Sequence, residues 1–292
     1  MRKTTAIIGC GDVGLRIAKR LSQSKTNTKT LVPIVRTQES LAALLPQFEN
    51  TIRIDFDNLE TVEHPIFKHI SELYYLVPPQ KTGNLDKRSE QCLQSLRKLN
   101  TQLERIVLIS TTGVYGDCQG GIVTEETPIN PTTLRSQRRS NMESQWQLFA
   151  KQKQCLLSIL RVPGIYSHSR LPRKRLLEQA PIVDPKECGF TNRIHADDLA
   201  MICQKVMEQQ SKTDIYNATD GVPGKMSQYF LDVAAYLDLP APPVMSFAEA
   251  EAVITTEMMS YLRESRKIAN KKLLESFNLN LKYQDYREGI RF

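Results

Sequence analysis

The stretch "TTAIIGCGDVGLRIAKRL", Thr4–Leu21, passes from an apolar run into three glycines and then into a helical pattern in which Val13, Ile17 and Leu21 share a face. "GCGDVG", Gly9 to Gly14, fits Gly-x-Gly-x-x-Gly. Placed between a strand and a helix, such glycines make a tight turn, let backbone N–H groups approach a pyrophosphate, and permit close helix packing. The helix N-terminus adds a partial positive charge suited to an anion. Gly9, Cys10, Gly11, Asp12, Val13 and Gly14 are therefore the candidate phosphate cradle, and a dinucleotide is the ligand class it implies. A glycine turn in any α/β protein would use similar letters; the flanking strand and helix favour the functional reading.

The same alternation continues downstream. Strand-like runs "TLVPIVR", "TIRIDF", "ELYYLVPP", "ERIVLIST" and "CLLSILRVPG" are separated by amphipathic stretches such as "SEQCLQSLRKLNTQ", with Cys92, Leu96 and Leu99 on one face. Strands joined by right-handed crossover helices make a parallel sheet. The expected fold is α/β: a Rossmann-like doubly wound parallel sheet with a smaller, discontinuous C-terminal substrate lobe. After about residue 163 the rhythm breaks into Pro-rich pieces, with "RIHADDLAMICQKVMEQQ" and the strand-like "DIYNATD" between them. Residues 1–163 plus about 191–219 are assigned to the NAD(P)-binding domain, and about 164–190 plus 220–292 to the substrate-binding lobe.

Composition narrows the class. Hydrophobic residues make up 40% and charged residues 24% of 292, which suits a globular domain. No apolar run approaches the roughly 18 residues of a membrane span. "MRKTTAIIGCG" runs into the glycine loop without a cleavage site and reads as a first strand. The six cysteines show no metal-like spacing, so no metal is expected and reduced thiols in a cytoplasm are. The net charge of +7 is spread along the chain without an aromatic-interleaved basic patch. Nucleic acid and membrane are accordingly not expected as partners; an anionic small molecule is.

After the second strand, where an NAD site usually carries an acid for the adenine ribose, the sequence reads "IVRT". Arg36 cannot accept hydrogen bonds from ribose hydroxyls, but its guanidinium suits a 2′-phosphate and Thr37 can add a donor. NADP(H) is thus favoured over NAD(H), against the alternative of an ordinary solvated arginine.

With "LISTTGVYGD" at Leu108–Asp117 added to the glycine loop, the chain resembles the extended short-chain dehydrogenase/reductases, also called NAD-dependent epimerase/dehydratases, and most closely their atypical members. "IDF", "LRVPGIYS", "NRIHADDLA", "IYNATD" and the C-terminal "SRKIANKKLLESFNLNLKYQDYREGI" extend the resemblance through nearly the whole length. It implies that Asp55 and Phe56 lie near the adenine, that Val77 and Pro78 line the cofactor site, and that Thr111 hydrogen-bonds the reacting oxygen. Thr111 could instead bond its own loop. His195, with Asp197 and Asp198, is implied to seat the second lobe. A homodimer is possible on the same basis.

The resemblance fails at the catalytic helix. With Glu143 as anchor, the family's Tyr-x-x-x-Lys falls on Arg135 and Arg139, and Asn130–Trp146 contains neither Tyr nor Lys. A guanidinium keeps its proton, with a pKa above about 12, so Arg135 is no ordinary general acid. Arg139 can take part of the lysine's role by holding the nicotinamide ribose. Arg135, Arg138 and Arg139 could form an anion clamp, with Arg138 nearby or solvated, or a basic exposed face paired with Glu143. Tyr166 and Tyr75 are candidate replacement acids. Two functions remain: an NAD(P)-dependent oxidoreductase or epimerase/dehydratase-like protein acting on a small polar, sugar-like or anionic substrate, or a catalytically silent NADP(H)-binding redox sensor.

Overall fold

The computed structural model describes residues 3–24, 29–58, 64–209 and 211–291. Met1 and Arg2, part of the first-strand reading, and Gln210, at the end of a helical stretch, lie outside the described residues. The chain divides into two compact units. The first comprises Met1–Thr111, Leu134–Arg161 and Leu199–Tyr216; the second comprises Thr112–Thr133, Val162–Asp198 and Asn217–Phe292.

The first unit is built on a seven-stranded sheet. Its strands are β1 (Thr4–Ile8), β2 (Thr30–Val35), β3 (Ile52–Arg53), β4 (Ile70–Tyr75), β5 (Arg105–Thr111), β6 (Leu156–Val162) and β7 (Asp214–Asn217). They lie in the order β7-β6-β5-β4-β1-β2-β3. β1 pairs in parallel with both β2 and β4, β2 with β3, and β4 with β5. Every strand falls in a run that the sequence marks as strand-like. β1 and the last four residues of β2 are buried throughout, which explains why they read as continuous apolar runs instead of alternating ones.

The principal helices of this unit are α1 (Asp12–Gln23), α2 (Gln38–Leu44), α3 (Lys87–Lys98) and α4 (Leu134–Lys153), followed by α5 (Ala196–Gln209), which begins in the second unit. α1 buries Gly14, Ile17, Ala18 and Leu21, so Ile17 and Leu21 of the periodic face point inward while Val13 is half-buried. α3 starts at Asp86, whose side chain accepts hydrogen bonds from the Arg88 and Ser89 amides. The core packs sheet residues such as Ala6, Ile8, Leu73 and Leu108 with Leu93 and Leu96 of α3 and Trp146 and Phe149 of α4. Tyr75 lies wholly inside it, 4.6 Å from Trp146 between ring centroids, so it is a packing residue and not a replacement acid at a cleft.

The second unit is held by short strand pairs. Ile122–Val123 pairs with Lys267–Ile268, Gly164–Tyr166 with Arg193–His195, Ile182–Val183 with Val244–Met245, and Phe190–Thr191 with Gly224–Lys225. Residues 112–133, 191–198 and 217–219, which the sequence rhythm assigns to the dinucleotide-binding domain, group instead with the second unit, where Ile122–Val123 pairs with Lys267–Ile268 and Arg193–His195 with Gly164–Tyr166. His195 is buried and stacks on Tyr283 at 4.0 Å, while the Asp198 carboxylate accepts the Lys282 and Tyr283 amides, both at 2.9 Å. These contacts tie the C-terminal segment to the start of α5.

Candidate functional site

A cleft of about 290 Å³ opens beyond the ends of β1, β2, β3 and β4, where the strand order reverses direction around β1. Open α/β sheets place ligands at such a switch point because the loops leave in opposite directions and part there. Gly9, Cys10, Gly11, Arg36, Thr37, Asp55, Phe56, Val77 and Pro78 all line it. Asp12, Val13 and Gly14 do not reach its surface, since the chain has already entered α1. The volume sits at the lower edge of the roughly 300–1,000 Å³ typical of ligand pockets, a size suited to part of a dinucleotide.

The glycines divide the labour. Gly9 has φ +88°, and a Cβ there would lie 3.1 Å from the backbone of Leu76 and Val77. At Gly14 a Cβ would come within 3.0 Å of the Gly9 carbonyl oxygen, so its absence lets α1 sit close to β1. A Cβ at Gly11 would meet nothing within 4 Å. Gly11 is also the N-cap of α1 and offers no side-chain bond to the helix's first amides. The Gly9 and Cys10 amides bond to the Ile34 carbonyl and the Gly11 amide to that of Gly9, so a pyrophosphate fits the first turn of α1, where helix amides lack an intrahelical acceptor. Burial pushes the Cys10 thiol up to about 12, which makes it an inert part of the wall.

Arg36 projects from the end of β2, and its Nη1 lies 3.4 Å from Asp57 Oδ2. Thr37 is already engaged: its hydroxyl accepts from the Ser40 amide at 3.2 Å as the N-cap of α2, and it donates to Ser40 Oγ at 3.1 Å. Ser40 and Arg88, which the sequence analysis missed, also line the cleft. Arg88 Nε and Nη2 each lie 2.5 Å from an Asp57 carboxylate oxygen, and Nη1 donates to the Pro78 carbonyl at 2.8 Å. The Arg88 guanidinium, with help from Arg36, holds the Asp57 carboxyl below the usual range. One faint signal of Arg88 was available: a cation in the first turn of a helix opposes the macrodipole and needs another reason to be there.

The second group of candidates clusters between β5 and α4. Thr111 ends β5 and is half-buried. Arg139 donates from Nη1 to the Ile109 carbonyl at 3.2 Å, joining α4 to β5. Arg135, one turn earlier, is half-buried. The basic face expected of this helix does not form. Arg138 is buried and donates to the Gly83 carbonyl at 2.5 Å, so it is neither solvated nor part of a clamp. Glu143 finds its partners on the sheet. It is buried against Arg161, whose Nε and Nη2 donate at 3.1 and 2.7 Å, and it accepts from Ser110 Oγ at 2.5 Å. A buried carboxylate needs paired donors, and β6 supplies them.

Tyr166 lies in the second unit with 2% of its surface exposed. It packs among Leu171, Leu176, Phe230 and Tyr286, and burial pushes its hydroxyl well up. A phenol so placed is a poor proton donor to a cleft. All six cysteines are free thiols. Among the described residues no cluster of His, Cys, Asp or Glu could hold a metal ion, and no helix is long and apolar enough to cross a membrane.

No family model matches the chain. Among curated proteins, Protein YeeZ of Escherichia coli K12 is 25% identical over 247 residues, covering 82% of this chain and 86% of that one. Among solved structures, a functionally unknown conserved protein from Silicibacter pomeroyi superposes with a TM-score of 0.79 at 24% identity, over 99% of this chain and 96% of that one. The dTDP-glucose 4,6-dehydratase of Bacillus anthracis, in complex with NAD, gives 0.76 at 16% identity, over 100% and 94%. The UDP-glucuronic acid 4-epimerase of Bacillus cereus, in complex with NAD, gives 0.74 at 15%, over 99% and 96%. Along nearly its whole length the chain shares the fold of these solved structures.

Proposed function

We propose that the cleft binds a nicotinamide dinucleotide, NADP(H) in preference to NAD(H), and that the protein is an oxidoreductase or epimerase/dehydratase-like enzyme acting on a small polar, sugar-like or anionic substrate. The observation that carries this reading is the cleft itself: nine of the sequence-predicted cofactor residues converge on one surface at the switch point of the sheet. The two relatives solved with NAD, a dTDP-glucose dehydratase and a UDP-glucuronic acid epimerase, share that fold.

In this reading the Gly9–Gly14 loop and the uncapped start of α1 hold the pyrophosphate, Asp55 and Phe56 flank the adenine, Val77 and Pro78 close the side below β4, and Arg36 with Ser40 meets the 2′-phosphate. The nicotinamide, when bound, supplies hydride transfer. Thr111 positions the substrate oxygen by donating or accepting a hydrogen bond. Arg139, anchored on the Ile109 carbonyl, holds the cofactor ribose or a substrate anion, and Arg135 adds a second fixed positive charge. Neither arginine gives up a proton at neutral pH, so each acts by stabilising negative charge and not as a general acid. Losing a positioned acid typically forfeits about 10²–10⁴ in rate.

That deficit supports a second reading, a catalytically silent NADP(H)-binding sensor. Two measurements separate the readings. Calorimetric titration with NADPH and NADH is expected to show selective NADPH binding, and Arg36→Asp is expected to reverse the preference. Transfer of label from deuterated NADPH to carbonyl substrates, nucleotide sugars first, identifies an enzyme. Tight binding with no transfer across the panel supports the sensor, and binding of neither nucleotide defeats both.

A further inference from the structure

Three charges meet where the loops after β2, β3 and β4 converge. Arg36 is 57% exposed at its side chain, Asp57 is 40% exposed, and Arg88 only 14%. Arg88 is thus nearly enclosed, with its fork committed to the Asp57 carboxylate and the Pro78 carbonyl. Arg36 reaches the same carboxylate only at 3.4 Å and stays more than half exposed. Both arginines line the cleft.

Two guanidinium groups converge on the one Asp57 carboxylate, with Asp55 as a second acid on the cleft surface. A phosphate monoester carries about −1.5 to −2 near neutral pH, so it matches the two arginines better than the carboxylate does. Its oxygens also present the paired acceptors that a guanidinium fork engages, with one more for a second arginine. The Asp57 carboxylate and an incoming phosphate cannot share Arg88 without meeting like charge at close range.

We propose that Asp57 is an internal counter-ion standing in for the 2′-phosphate of NADP(H), which on binding takes over the Arg88 fork together with Arg36 while the Asp57 carboxylate turns toward solvent. The inference rests on the reading of the cleft as a dinucleotide site. It makes Arg88 a specificity-determining residue and Asp57 an intramolecular competitor that weakens NADPH binding. NADH, whose 2′-hydroxyl is neutral, leaves the Arg88–Asp57 pair intact and gains nothing from its removal.

The test is a side-by-side calorimetric titration of the full chain and three variants with NADPH and NADH. Asp57→Asn keeps the size of the side chain and removes its charge; it should raise the ratio of NADPH to NADH affinity by about tenfold through tighter NADPH binding, with NADH affinity unchanged. Arg88→Ala should lower that ratio by about tenfold or more, with Arg88→Lys intermediate because it keeps the charge without the fork. An Asp57→Asn ratio within about twofold of the parent overturns the proposal while leaving the dinucleotide reading in place. So does a selective loss of NADH binding in that variant, which would make Asp57 a ribose acceptor. If the parent protein binds neither nucleotide, the dinucleotide reading fails first and the counter-ion role falls with it.

Discussion

Glu143 shows how one residue's partner changes its meaning. On the sequence it sits in an arginine-rich helix, and its spacing from Arg139 invites an i, i+4 pair. In the structure it faces inward to Arg161, 18 positions later, and to Ser110. Both members of the ion pair are nearly wholly buried. Removing one partner strands the other charge, at a typical cost of about 3–5 kcal/mol. Glu143→Ala is therefore expected to lower the unfolding free energy by that order in urea titrations, and a Glu143→Leu/Arg161→Met double variant should recover much of it. Equal losses in the single and double variants would mean that the charge pair is not the source. Arg138 is likewise buried, with its guanidinium on the Gly83 carbonyl, while Arg135 and Arg139 stay half-buried and Arg139 bonds to β5.

At the scale of an element, the loop between β1 and α1 makes two different demands on its glycines, and they can be separated. Gly9 has a positive φ and the backbone of Leu76 and Val77 against it, so Gly9→Ala strains the chain. The expected loss is on the order of 1–3 kcal/mol in chemical unfolding. Gly11 borders the cleft and has open space where a side chain would project. Gly11→Ala should cost about 1 kcal/mol or less, because Ala is a poorer N-cap than Gly, while weakening dinucleotide binding in calorimetry. If both variants lose stability and neither loses affinity, the loop is a structural turn and not a phosphate cradle. These roles were legible in advance because a glycine's freedom is a local property of the backbone. Arg88 was not, since its partner Asp57 lies 31 positions away and only the sheet brings the two loops together.

Across the whole molecule, pH is expected to act through Asp220 in the second unit. Its Oδ1 accepts the Val222 amide at 3.1 Å, and burial pushes its carboxyl up to about 8. The unfolded chain releases this proton near the ordinary carboxylate value of about 4, whereas the folded chain retains it until about pH 8. Between those limits the unfolded state binds fewer protons, so stability falls as pH rises and levels off above the folded value. Asp220→Asn should flatten the decline in melting temperature between pH 5 and pH 8 and raise the pH 8 value. Parallel parent and variant profiles would show that the carboxyl does not hold its proton in the fold.

Local regularities in the chain carried the seven strand positions, the helical face of α1, the glycine loop and the arginine after β2, because period, glycine placement and sequence order are properties of neighbouring residues. From these the doubly wound sheet follows, and with it the convergence of Gly9, Arg36, Asp55 and Val77 at one edge, which requires only that the strands be parallel and ordered around β1. Side-chain partners required the folded chain. The burial of Glu143 with Arg161, the enclosure of Tyr166, the union of 112–133 with the second unit and the Arg88–Asp57 pair depend on contacts between distant segments. Their energies come from desolvation and charge pairing in a particular interior, and no local pattern of letters encodes which charged group will find itself inside.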